Sequence, residues 1–181
     1  MEAFNFLLEQ YSNEEVFLEA KIWREKTNLR LSNNNLALKN LLSLSKDLKS
    51  SSKFNSLLNS SISQGFLNLK NIDSAIVYLN KAIKSERNLK VNSRLTFIQA
   101  QLYENLGMKD SMKVVLADLI DKKRRIPKEI WIQSKIKLIS YEDKKGSDKD
   151  NHYKQIKALN ALKDTGLKAG EAYTMKAFPV L

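Results

Sequence analysis

At 181 residues and 43% hydrophobic, the chain can bury a substantial core as one compact domain or one repeat array. It contains no cysteine, which excludes disulfides, thiolate zinc sites and cysteine nucleophiles, and no apolar run approaches the ~20 residues of a membrane-crossing helix. The formal net charge of +11 favours acidic partners such as phosphate backbones, anionic lipid headgroups or acidic proteins. All but six of the 31 basic residues are lysines, solvated point charges without the forked contacts of arginine, so a lysine-rich solvated surface is favoured over a nucleic-acid groove.

Two prolines and five glycines leave long uninterrupted stretches suited to helices. Met1–Gln10 places Phe4, Leu7 and Leu8 on one helical face and lacks the basic start and small-residue cleavage site of a signal peptide. After Tyr11-Ser12, Asn13 is positioned to cap a helix whose first turn holds Glu14 and Glu15. That helix is expected to run to Leu31 with an inward stripe of Val16, Ala20, Trp23, Thr27 and Leu31. Its partner buries Ala37, Leu41, Leu44 and Leu48, and Ser50–Ser52 separates this pair from the next.

The second pair uses Leu58, Ile62, Phe66 and Leu69, turns at Lys70-Asn71, and continues with Ile72, Ala75, Ile76, Leu79, Ala82 and Ile83. The third uses Leu95, Ile98, Leu102 and Leu106, turns at Gly107, and continues with Met112, Val115, Leu116, Leu119 and Ile120. The basic run Lys122, Lys123, Arg124, Arg125 closes that helix, where cations complement its dipole. Pro127 then starts a helix with Ile130, Trp131, Ile132, Ile136 and Ile139 inward. Asp143–Asp150 reads as a loop, Asn151–Lys163 as a helix, and Gly166–Phe178 as a last short one.

One pattern recurs. Leu31, Leu69 and Leu106 are each followed six residues on by Ala37, Ala75 and Met112, then by Leu41, Leu79 and Leu116, then by Leu44, Ala82 and Leu119. A step of 37–38 residues marks stacked two-helix repeats, with pairs at about 14–49, 52–86 and 91–122 and less regular helices over 127–178, all within one array. The small-large-small order of the second helix, with Tyr103-Glu104-Asn105-Leu106-Gly107 before Met112, resembles the tetratricopeptide repeat. Asn28 and Phe66 stand in the tyrosine place, Ser32 and Lys70 in the glycine place, and Met112 in the small-residue place. The expected fold is therefore all-α, a tetratricopeptide-like helical-repeat solenoid of antiparallel helix pairs.

A narrower likeness covers Tyr11 to Ile139. Leu18-Glu19-Ala20-Lys21-Ile22-Trp23-Arg24-Glu25, Asn34-Asn35-Leu36-Ala37, Gln101-Leu102-Tyr103 and Arg125-Ile126-Pro127 resemble the SprE (PorW) family of gliding-motility and type IX secretion lipoproteins. This implies a protein-binding scaffold at the cell envelope, periplasmic or associated with the outer membrane; without the resemblance the expected setting is cytoplasmic. Members of that family are longer, and neither end of this chain has the polar outer face of a solenoid cap. The sequence is therefore expected to be a piece of a longer repeat protein, or to fold its ends back on the array.

Catalytic groupings are poor. His152 is read as solvent-exposed, the Asp143, Asp148 and Asp150 cluster lacks the glycine and closing glutamate of an EF-hand, and Trp23 and Trp131 are read as core. No cofactor, metal or small-molecule substrate is expected, and no enzymatic activity. The tetratricopeptide resemblance implies that first-helix residues 11 and 7 places before the second-helix small residue face a concave groove. That selects Lys26, Gln64 and Gln101 in one row and Arg30, Asn68 and Asn105 in the other. Amides both donate and accept, which suits the backbone of an extended peptide, with one acidic group at the Lys26–Arg30 end. The expected partner is a protein or peptide; the alternative is nucleic acid or another polyanion on Lys122–Arg125.

Overall fold

The computed structural model describes residues 2–10, 14–47 and 53–143, together with 153, 155–157 and 159. The expected Asn13 cap, Leu48, the Ser50–Ser52 break, Asp148, Asp150, His152 and the Gly166–Phe178 helix lie outside the described residues. Eight α-helices are described: α1 (Glu2–Gln10), α2 (Glu14–Arg30), α3 (Asn34–Asp47), α4 (Asn55–Asn68), α5 (Ile72–Ser85), α6 (Leu89–Asn105), α7 (Lys109–Asp121) and α8 (Lys128–Asp143), with a 3₁₀ turn at Lys123–Arg125. No strand occurs among the described residues. The chain divides into two compact units, Met1–Met108 and Lys109–Leu181.

In the first unit α2 packs on α3, α4 on both of them, α5 on α4 and α6 on α5, while α1 lies against α2. The α4–α5 pair has the most extensive packing. Small residues let α4 approach α2 and α3 on one side and α5 on the other. Gly65 of α4 has no room for a freely placed side chain, since a Cβ there would stand 3.1 Å from Leu38 Cδ1 and 3.4 Å from Leu29 Cδ2. Ala75 is fully buried and its carbonyl accepts a 2.8 Å hydrogen bond from the Ser63 hydroxyl. One apolar cluster joins Ile22, Leu29, Ala37, Leu38, Leu41, Phe54, Leu58 and Ile62. A second joins Ile76, Leu79, Ala82, Leu95 and Leu102. Burying each of the larger side chains contributes about 1.5–3 kcal/mol.

The repeat is visible in the backbone. Ser32, Lys70 and Gly107, which share one place in the period, all adopt left-handed conformations with φ of 64°, 59° and 70°. Each closes the same helix end. Ser32, Lys70 and Gly107 donate their N–H to Leu29, Leu67 and Glu104, and the following Asn33, Asn71 and Met108 donate to Asn28, Phe66 and Tyr103. These are three Schellman closures in register. The Leu31, Leu69 and Leu106 that precede them are exposed.

The inward face of α2 differs from the expected stripe. Val16, Trp23 and Leu31 are exposed, Trp23 by 39% and Leu31 by 58%, whereas Ile22, Glu25, Asn28 and Leu29 are buried. Glu25 and Asn28 make the true face look polar, so apolar periodicity selects the neighbouring one. The carboxylate is accommodated because Asn28 Nδ2 donates to Glu25 Oε2 at 2.8 Å and Arg24 Nη2 lies 2.9 Å from Oε1.

The second unit holds α7 and α8, packed on each other around buried Met112, Leu116, Leu119, Ile130 and Ile132. Pro127 immediately precedes α8, and its carbonyl accepts from the Trp131 N–H. Trp131 is half-buried, its indole Nε1 donating to the Ile120 carbonyl at 3.1 Å.

Candidate functional site

All six expected groove residues lie in the first unit, on α2, α4 and α6. Lys26, Gln64 and Gln101 are half-buried, and Arg30, Asn68 and Asn105 are exposed. The six do not behave alike. Asn68 is a clasp: its Nδ2 donates to Asn34 Oδ1 at 2.8 Å and to the Leu29 carbonyl at 3.3 Å, and its Oδ1 accepts from Gln64 Nε2 at 2.7 Å. Both amide hydrogens of Asn68 are thus turned onto the first helix pair. Gln64 keeps its carbonyl oxygen, and one of its two amide hydrogens, for another partner.

The cationic end of the rows is larger than the periodicity shows. Burial lowers the pKa of Lys26 from its ordinary value of 10.5, and the guanidinium groups of Arg30 and Arg94 lower it further. Loss of hydration and like charge both disfavour the ammonium form. Arg94 of α6 therefore bears on a lysine of α2, although 68 positions separate them in the chain. The signal for Arg94 was present in the sequence: it stands 7 and 11 residues before Gln101 and Asn105, which places it on their helix face.

Trp23 was expected in the core and instead borders this cluster. It precedes Lys26 by three residues and Arg30 by seven, and Lys26 Nζ sits 4.1 Å from the centroid of its ring. Its Nε1 reaches the exposed Glu19 carboxylate at 3.4 Å. The described interactions bring together three cations, Lys26, Arg30 and Arg94, with an exposed indole beside them. Such a cluster suits an anionic group, because charge-assisted bonds to guanidinium are about twice as strong as neutral ones.

The four residues of the expected basic patch lie in the second unit. Lys122 is half-buried and paired with Asp118 at 2.7 Å, while Lys123, Arg124 and Arg125 are exposed. No group of three or more potential ligands for a metal ion occurs among the described residues. No described helix is long and apolar enough to cross a membrane.

No family model and no curated protein matches the sequence. Solved structures do match. MamA is 18% identical, with a TM-score of 0.65 over 91% of this chain and 86% of that one. A Podosopora anserina putative kinesin light chain with nearly identical TPR-like repeats is 13% identical, with a TM-score of 0.69 over 92% of this chain and 85% of that one. At these identities the likeness concerns the fold. The fold is all-α, a tetratricopeptide-like helical-repeat solenoid of antiparallel helix pairs.

Proposed function

We propose that the protein is a non-enzymatic scaffold that binds an extended segment of a partner protein across α2, α4 and α6. An acidic group of that segment lodges against Lys26, Arg30 and Arg94, and its backbone runs along Gln64, Gln101 and Asn105. The observation that carries this reading is a cationic cluster drawn from two helices: Lys26 and Arg30 stand one turn apart on α2 beside the exposed Trp23 ring, and Arg94 of α6 is near enough to disfavour the Lys26 ammonium. A bound carboxylate opposes the like charge of the arginines, because an opposite charge nearby favours the ammonium form. The structural relatives are repeat proteins of the same fold, which supports a scaffold role. The likeness of residues 11–139 to the SprE lipoproteins supports an envelope setting in secretion or gliding motility, and recovery of the partner from an envelope fraction tests that part separately.

The test is an array of acidic peptides beside their Asn- and Gln-substituted counterparts, probed with the full chain. Acidic members are expected to bind and neutral ones not. Arg30→Ala with Arg94→Ala is expected to lower affinity by about tenfold or more, the loss of at least one hydrogen bond to a charged group. Gln64→Ala with Asn105→Ala is expected to weaken binding less and without preference between acidic positions. Equal binding of acidic and neutral peptides, or binding untouched by the arginine variants, would sink the proposal.

A further inference from the structure

The second unit carries a differently built cationic site. Lys109–Leu181 holds 17 of the 31 basic residues but only 10 of the 20 acidic ones. Five cations, Lys122, Lys123, Arg124, Arg125 and Lys128, rim an open cleft of about 780 Å³ whose other walls are Asp121, Ile126 and Trp131. Only Lys122 of the five is ion-paired; Lys123, Arg124, Arg125 and Lys128 have no carboxylate partner among the described residues. A sixth cation stands at the wall, with Lys135 Nζ 4.5 Å from the centroid of the Trp131 ring.

The backbone of the rim is tied by hydrogen bonds. The Lys122 N–H bonds to the Asp118 carbonyl at 3.3 Å and the Arg125 N–H to the Lys122 carbonyl at 3.0 Å. Trp131 Nε1 fastens the start of α8 to the Ile120 carbonyl, and Ile126 is buried as an anchor between them. Closely spaced like charges repel, and ordinary surface lysines disperse that repulsion by moving apart. Here a hydrogen-bonded turn sets the backbone of four consecutive cations side by side, next to Ile126 and Trp131.

We propose that this cleft binds a single strand of nucleic acid, its phosphates on the Lys122–Arg125 and Lys128 rim and a sugar or base against Trp131. Backbone charge on a basic groove combined with an aromatic surface is the way single strands are held without sequence preference. A lipid surface fits less well, because Ile126 is buried and Trp131 is half-buried with its indole N–H bonded to Ile120, so the rim offers no fully exposed apolar side chain for insertion.

The experiment is fluorescence anisotropy of a labelled oligouridylate of roughly twelve nucleotides, titrated with the full chain at about 20 to 200 mM salt. Neutralising four to five phosphates predicts a slope of about −3 in log affinity against log salt, since each contributes about −0.7 on a single strand. Arg124→Gln with Arg125→Gln is expected to reduce that slope by about 1.4. Both side chains are exposed and unpaired, so the variant is expected to keep its helical circular dichroism. Arg30→Ala with Arg94→Ala, which disables the peptide face, is expected to leave oligonucleotide binding unchanged, so the two sites succeed or fail independently. Absence of binding at the lowest salt, an unchanged slope in the Arg124/Arg125 variant, or displacement of the oligonucleotide by phosphatidylserine vesicles at equal charge each overturns the assignment.

Discussion

The first and second helix pairs of the Met1–Met108 unit share a backbone plan and differ in what fills it. Ser32 and Lys70 close the first helices in the same left-handed turn, and Ala37 and Ala75 are equally buried at the start of the second helices. The place before the turn that holds Ser63 in one pair holds Glu25 in the other, and the next inward place holds Phe66 against Asn28. In the second pair a small hydroxyl bonds to the facing helix, Ser63 to the Ala75 carbonyl. In the first pair the polar atoms bond within α2, Glu25 to Asn28 and Arg24. The difference teaches that the period specifies backbone geometry and helix spacing. The interior accepts a charge in a small residue's place when neighbours on the same helix satisfy it.

The largest test of this comparison removes the two groups in turn. Glu25→Ala is expected to destabilise the fold by about 3 kcal/mol, because it leaves the buried Asn28 amide without its acceptor and opens a cavity. Ser63→Ala, which loses one neutral hydrogen bond, is expected to cost about 1 kcal/mol. Urea unfolding of the full chain reads both, and equal losses would show that the two interiors are equivalent after all.

The turns provide the next effect. An L-residue in the left-handed region is strained by roughly 1–2 kcal/mol, part of which the extra chain entropy of glycine offsets. Ser32→Gly and Lys70→Gly are each expected to stabilise by about 0.5–1 kcal/mol, and Gly107→Ala to destabilise by a similar amount. Thermal unfolding of the three variants decides whether the repeat places are interchangeable. Opposite signs for Ser32 and Lys70 would break the comparison at the one feature where the pairs coincide.

The smallest effect separates Lys26 from Gln64, which occupy the same place in the two pairs. Lys26 titrates below its unfolded value of 10.5 because burial and two guanidinium groups oppose its charge. The unfolded chain therefore holds this proton more tightly, and stability rises with pH between the folded and unfolded values. The contribution is complete above 10.5 and lost as pH falls through the folded value. Lys26→Met is expected to raise the melting temperature at neutral pH, with the gain shrinking as pH approaches 10.5. Gln64→Met is expected to show no such pH dependence, and parallel curves for the two variants would remove the electrostatic account of this face.

The helix pairs and their turns were legible because a period of 37–38 residues needs only residue types to be seen. The same period selects Lys26, Gln64, Gln101, Arg30, Asn68 and Asn105, which fall on α2, α4 and α6; that they line a groove is the proposal made above. What each of the six bonds to was not legible. Nothing in the spacing distinguishes Asn68, whose amide hydrogens are turned onto Asn34 and Leu29, from Gln64 one turn earlier. Apolarity points away from the inward face of α2, because the buried face there carries Glu25 and Asn28.

By itself, then, the sequence determined the all-helical class, the repeat step, the helix ends and which residues share a helix face. These are local properties, set by side-chain size, polarity and spacing along a helix. Tertiary structure alone decided which face of α2 turned inward, which amides became clasps, and that Arg94 joins Lys26 and Arg30. It also decided that Lys122–Lys128 rim a cleft against Trp131. Each of these depends on groups brought together from different helices, and energies between such groups follow distances that no single helix encodes.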